Sequence, residues 1–140
     1  MTKVFFDTNV FIYMFEGLEP LRSQMRNIRR RMIERGDQLV TSAMTLGEVL
    51  VKPTKTGHRS LAEQYDRAIR TTSRIVNFDP SVCWRYASLR ATHNLRNADA
   101  IQLACAAHFG VDLFITNDKK LHKLDIPGIG FIAPLEKVPL

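Results

Sequence analysis

The sequence is poor in cysteine, in histidine patterning and in long apolar runs, and each shortage removes a class of protein. Two cysteines among 140 residues, Cys83 and Cys105, are too few for a disulfide framework. Both lie in helix-like apolar segments and read as reduced core residues of a cytoplasmic protein. The four histidines, His58, His93, His108 and His122, show neither HxxxH nor HxH spacing, so they suggest no zinc site and no catalytic role. No apolar stretch is long enough to cross a bilayer, so no membrane partner is expected. The first apolar run breaks at Asp7, which argues against a signal peptide. Acidic residues are also in deficit: 20 Lys and Arg against 14 Asp and Glu give a net charge of +6. Such an excess favours polyanions such as nucleic acid, and it serves solubility equally well.

What is present is the make-up of an ordinary globular chain, 45% apolar and 24% charged, long enough for one hydrophobic core. A single domain over 1–140 is expected. Short apolar runs alternate with helical periodicity along it. Strands are expected at 3–6, 38–41, 74–78, 111–116 and 129–133, and helices at 9–16, 42–52, 60–72, 81–95 and 97–108. A further helix begins near Leu21, with Leu21, Met25, Ile28 and Met32 on one face, and ends at Gly36-Asp37. Ser42 and Asn97 are candidate caps, Pro53 a candidate stop, and Asp118 a possible cap for a short helix over 119–124. Leu61, Tyr65, Ala68 and Ile69 are expected on one side of their helix, and Trp84, Ala87 and Leu89 on or near a buried side. Strands alternating with helices indicate a three-layer α/β/α sandwich around a mainly parallel sheet.

Four carboxylates differ from the rest in having apolar or small neighbours. Asp7 and Asp118 each follow an apolar strand, where open α/β sheets gather their chemistry. Glu48 sits in Leu46-Gly47-Glu48-Val49-Leu50, and Asp99 in the first turn of an alanine-rich helix. Each has a plain structural use: a helix cap for Asp7 and Asp118, a dipole partner for Asp99, an arginine partner for Glu48. Together they ask for one explanation, because converging carboxylates repel unless a cation joins them. Oxygen ligands alone suit Mg²⁺ or Mn²⁺. Without these four acids the remainder of the chain carries 20 − 10 = +10. An acidic pocket in a basic surround suits an enzyme that attracts a phosphate backbone and presents metal to it. Candidate RNA contacts are Arg22, Arg26, Arg29 and Arg30 on one helix face, with Lys52, Lys55, Lys119, Lys120 and Lys123 near the expected site loops. The arginine face suits solvent or a protein partner equally well.

Four stretches resemble the PIN-domain family, especially the VapC-type toxins of prokaryotic toxin–antitoxin pairs. They are Phe6-Asp7-Thr8-Asn9-Val10-Phe11-Ile12, Ser42 to Val49 around Glu48, Asn97-Ala98-Asp99-Ala100, and Phe114-Ile115-Thr116-Asn117-Asp118. Their order and context run along nearly the whole chain. The resemblance implies a PIN-like sandwich and a Mg²⁺- or Mn²⁺-dependent endoribonuclease acting through a metal-activated water. Asp7, Glu48, Asp99 and Asp118 match the family's acidic quartet. Asp7, Asp99 and Asp118 are then metal ligands, and Glu48 binds a second metal or orients the water. Thr8, Asn9, Thr116 and Asn117 match the polar positions that hold the carboxylates. Many relatives carry a further acid after the last motif. Here Lys119-Lys120-Leu121 follows Asp118, which brings positive charge to the site's rim instead.

The likeness also implies an RNA substrate, a small antitoxin partner and a homodimer. Phe11, Tyr13, Met14 and Phe15 suit either an antitoxin groove or the core. Two rival functions stand beside this one. A PIN-fold scaffold that binds RNA or protein without cutting would be expected to have lost an acid. A phosphatase with an aspartyl nucleophile would need D-x-D after the first strand, and the chain has Asp7-Thr8-Asn9.

Overall fold

Lys3–Phe6 forms β1, and its pleat assigns the two faces of the molecule. Val4 and Phe6 point to one side and Phe5 to the other, all fully buried. A strand buried on both faces belongs at the centre of a parallel sheet. The computed structural model, which describes residues 1–140, puts it there. The sheet is five-stranded and parallel throughout, in the order β3-β2-β1-β4-β5, with β2 Gln38–Ser42, β3 Arg74–Val76, β4 Val111–Ile115 and β5 Ile129–Ala133. Phe5 pairs with Phe114 across the β1–β4 register, their rings stacked at 4.9 Å.

Helices α1 Thr8–Glu16, α2 Leu21–Arg35, α3 Ala43–Lys55 and α4 Arg59–Thr72 supply one core, with Val4, Phe6, Leu113 and Ile115 from the sheet. Helices α5 Cys83–Thr92 and α6 Asn97–Phe109 supply the other, with Phe5, Val40 and Phe114. The three-layer α/β/α class expected from the sequence is the class observed. Helix α6 is buried from Ala100 to Ala107, and its small residues let it lie close against the sheet. It ends at Gly110, whose φ of 80° is the left-handed cap that a glycine adopts without strain. At Gly128 the need is steric: a Cβ there would meet the Ala107 carbonyl oxygen at 2.5 Å.

The chain runs β1 to β2 to β3 along one half of the sheet and then crosses to β4 on the other side of β1. The order therefore reverses between β1 and β4, and a crevice opens beyond their carboxyl ends. Asp7 follows β1 there, and Thr116 to Asp118 follow β4.

Several local expectations change. Pro53 lies inside the last turn of α3 and does not close it at Lys52; it is buried, and its carbonyl accepts the His58 N–H at 2.8 Å. A proline so near a helix end removes one hydrogen bond and leaves the rest of the ladder intact. Of the α4 set, Tyr65 and Ile69 are buried with Ala62, while Leu61 faces solvent and Ala68 is half-buried. Strand β3 stops at Val76. The expected helix 81–95 is a 3₁₀ turn, Pro80–Val82, followed by the shorter α5. Trp84 is 86% exposed, and Ala87 and Cys83 are exposed too. Helix α5 packs mainly on α6 and not on the sheet, so only a narrow strip of it, centred on Leu89, is covered. Cys105 is a core residue as expected, and burial pushes its thiol up to about 11. Residues 119–124 form turns, not a helix.

Candidate active site

Asp7 reaches the crevice because β1 ends one residue before it. Its N–H bonds the Ile115 carbonyl at 3.1 Å, continuing the β1–β4 pairing, and α1 then begins at Thr8. The residue is 6% exposed and its carboxylate is fully engaged. Thr116 Oγ1 donates to Oδ2 at 2.7 Å, the Thr8 N–H to Oδ1 at 2.8 Å, and Gln102 Nε2 to Oδ1 at 3.2 Å. Burial raises the Asp7 pKa above the usual carboxylate range. The hydrogen bonds from Thr116 and Thr8 oppose that rise, and the charge of Asp99 adds to it.

Glu48 comes from α3, whose first turn is capped by Ser42 Oγ accepting the Thr45 N–H. One turn further on, Glu48 Oε1 accepts from Thr8 Oγ1 at 2.6 Å. Asp99 lies in the first turn of α6, where the helix dipole favours its charge. The N-cap of this helix is Arg96, not Asn97. Asn97 is engaged elsewhere: its Oδ1 accepts from Tyr86 Oη and from Arg90 Nη1. Asp118 follows the β4 turn, and its Oδ1 caps the next turn by accepting the Lys120 N–H at 3.0 Å.

These four carboxylates, from four separate segments, line one open cleft of about 520 Å³ with Thr8, Asn9, Tyr13, Arg96, Gln102, Asn117 and Lys120. The polar positions stitch the walls together. Asn9 Nδ2 donates to Thr116 Oγ1, Asn9 Oδ1 accepts the Asn117 N–H, and Asn117 Nδ2 donates to Tyr13 Oη. Thr116 Oγ1 also accepts the Asp118 N–H, and the Thr116 carbonyl bonds His122 Nε2 at 2.9 Å.

Two cleft residues went unassigned from sequence. Gln102 is buried on α6, one turn after Asp99. Its Nε2 reaches Asp7 and the hydroxyls of Thr8 and Thr45, and its Oε1 accepts from Ser42 Oγ. The available signal was a lone amide in an otherwise apolar helix interior, three residues from an acid on the same face. Arg96 joins Asp99 and Asp118. No sequence rule pairs it with Asp118, which lies 22 residues away.

The candidate RNA contacts divide. Lys120 lines the cleft. Lys52 lies 3.5 Å from Glu16. Arg26, Arg29 and Arg30 line a different cavity with Met14, Phe15, Ile33 and Glu34, and Arg22 lines neither. Phe11 is core, Tyr13 lies on the cleft wall, and Met14 and Phe15 are half-buried.

The donor set fits a hard divalent cation in chemistry: carboxylates, hydroxyls and amides, with no thiol or imidazole lining the cleft. The side chains as placed do not bring three His, Cys, Asp or Glu groups around one common point. Mg²⁺ tolerates this, because it keeps several waters and takes only one or two carboxylates directly.

Comparison with known proteins agrees with the geometry. The model of the PIN domain family matches residues 4–127. Ribonuclease VapC23 of Mycobacterium tuberculosis is 30% identical over 119 residues, covering 84% of this chain and 94% of that one. A toxin–antitoxin complex from Klebsiella pneumoniae contains a chain of 28% identity and TM-score 0.65, covering 90% of this chain and 94% of its own. A chain of VapBC2 from Rickettsia felis, bound to a promoter DNA fragment, has the same fold at 16% identity and TM-score 0.77, covering 95% of this chain and 98% of its own. The strand order, the acidic cleft at its reversal and the family match together make this chain a member of the PIN domain family.

Proposed function

We propose that this chain is a divalent-metal-dependent endoribonuclease and the toxin of a toxin–antitoxin pair. One observation carries the reading: four carboxylates from four distant segments line the same cleft at the sheet's reversal point. Its relatives support it, since one is a ribonuclease and another lies in a toxin–antitoxin complex.

Asp7, Asp99 and Asp118 would hold Mg²⁺ or Mn²⁺, directly or through water, with Glu48 lining the same cleft. The cation supplies charge neutralisation at the phosphate and a more acidic water. The protein's own part is positioning. Thr116, Thr8 and Gln102 fix the Asp7 carboxylate without neutralising it, so its charge stays available to the cation. Thr8 also fixes Glu48, which is exposed and free to accept a proton from a water attacking the phosphodiester. Lys120 adds positive charge at the wall, where a phosphate backbone would pass.

The partners proposed are RNA, a small antitoxin protein and a second copy of the chain, and the site of action is the cytoplasm. No helix is long and apolar enough to cross a membrane. The test is Asp99→Asn assayed on RNA with Mn²⁺, beside wild type with and without chelator. Cleavage should depend on the metal and be lost in the variant. A folded Asp99→Asn chain that cuts as fast as wild type would exclude the metal-site mechanism.

A further inference from the structure

Arg96 holds an unusual position in the cleft. Asp99 and Asp118 come from different elements, and Arg96 lies between them. Its Nε donates to Asp99 Oδ2 at 3.0 Å, and its Nη2 reaches Asp99 Oδ1 and Asp118 Oδ2, each at 3.4 Å. The exposures are uneven: the arginine side chain is 74% exposed, the two carboxylates 13% and 19%. The acids belong to the protein's wall, while the cation reaches them from the solvent side.

An ion pair with one largely hydrated partner is weakly held, because water competes for the guanidinium and salt screens it. A divalent ion directed at the same oxygens carries twice the charge. Arg96 would not travel far when displaced. Its backbone is fixed as the N-cap residue of α6, so the guanidinium stays on the cleft wall. Freed of the carboxylates, its fork of N–H donors matches the paired oxygens of a phosphodiester. Lys120 lines the same cleft.

We propose that Arg96 has two alternative partners. In the metal-free chain it is the counter-cation of Asp99 and Asp118. When a divalent cation takes those oxygens, it turns to a phosphate of the RNA strand. The inference rests on the metal-dependent ribonuclease reading, so its test must separate the two.

The experiment is calorimetric titration of Mn²⁺ into wild type, Arg96→Gln, Arg96→Lys and Asp99→Asn, followed by cleavage of a single-stranded RNA at saturating Mn²⁺. Arg96 is exposed, so its variants should fold. Arg96→Gln should bind Mn²⁺ about three- to tenfold more tightly, the range expected when an exposed competing cation is removed. Its KM for RNA should rise about tenfold, with kcat changed much less, as the loss of a charge-assisted phosphate contact predicts. Arg96→Lys keeps the charge and loses the fork, so its Mn²⁺ affinity should stay near wild type and its KM fall between the two. Mn²⁺ affinity that is unchanged or weaker in Arg96→Gln overturns the proposal, as does an unchanged KM. If Arg96→Gln gives either overturning result while Asp99→Asn loses Mn²⁺ affinity, the metal site stands and only the arginine inference falls. If Asp99→Asn binds Mn²⁺ like wild type, the metal site itself falls and the inference with it.

Discussion

Asp7 and Glu48 are held by hydroxyl, amide and backbone hydrogens, whereas Asp99 and Asp118, in the same cleft, share a guanidinium. Neutral donors set a carboxylate's direction and leave its charge uncancelled. A guanidinium cancels charge, but an exposed one is exchangeable. The first pair belongs to the scaffold of the cleft. The second pair is poised to change partners. Within the first pair, burial separates the two acids again: Asp7 is enclosed and Glu48 is open to solvent.

The largest expected effect concerns Asp7. Asp7→Asn should lower RNA cleavage by about a hundredfold or more, since it removes a charge placed for the transition state. The same change should stabilise the metal-free chain, by about 1 kcal/mol, because the amide avoids burying a charge. Thermal melting of the metal-free variant checks this. A lower melting temperature would show that the Thr116 and Gln102 hydrogen bonds outweigh the cost of desolvation, and the contrast with Asp99 would lose its basis.

Next comes Gln102→Leu, which strips a donor from Asp7, Thr8 and Thr45 and an acceptor from Ser42. Cleavage should fall about ten- to a hundredfold, as for other groups that orient ligands. Stability should fall by about 1–3 kcal/mol, the usual cost of stranded buried polar groups, read from a denaturant midpoint. Wild-type activity in this variant would mean that Asp7 is held well enough by threonine alone.

Burial with no cationic partner also acts at Cys105, whose thiol is raised from 9.0 to about 11 by burial first and by the charge of Asp79 second. Above pH 9 the unfolded chain gives up this proton before the folded one does. The folded state then binds more protons, so stability falls as pH rises from 9 to 11. The loss should be smaller in Cys105→Ala, measured by denaturation at both pH values; the remainder comes from the Tyr65 hydroxyl, which burial and its bond to Glu16 also hold above its ordinary value. At pH 8 a thiol reagent should find Cys83, which is exposed, and miss Cys105 until the protein unfolds. The smallest effect is expected from Arg26→Ala with Arg30→Ala. These charges lie outside the acidic cleft, and Arg30 is already paired with Glu34 at the surface. Cleavage should change by less than about twofold, as for other exposed charges. A tenfold loss would extend the RNA path across α2.

The acids were legible because each carries a local mark. Asp7 and Asp118 follow apolar strands, Asp99 opens an alanine-rich helix, and Glu48 stands among apolar residues. Strand positions followed from short apolar runs between turns, since a buried parallel strand leaves little other pattern. Three misplacements share one cause. Trp84, Cys83 and Ala87 look like core residues by composition, and their exposure depends on α5 lying outside α6 and away from the sheet. Asn97 is a good cap by residue type, and Tyr86 and Arg90 claim its side chain instead.

Local patterns along the chain suffice for the fold class, the order of the elements and the carboxylates that stand near their ends. These depend on periodicity, caps and turns, which act over a few residues. What each carboxylate meets depends on how distant segments pack. Asp7 and Thr116 are 109 residues apart, Asp7 and Gln102 95 apart, and Arg96 and Asp118 22 apart. Those meetings are fixed by strand order and helix packing, because the reversal between β1 and β4 is what places both strand ends beside the first turn of α6. A neutral donor or a guanidinium facing each acid is therefore a property of the packed molecule.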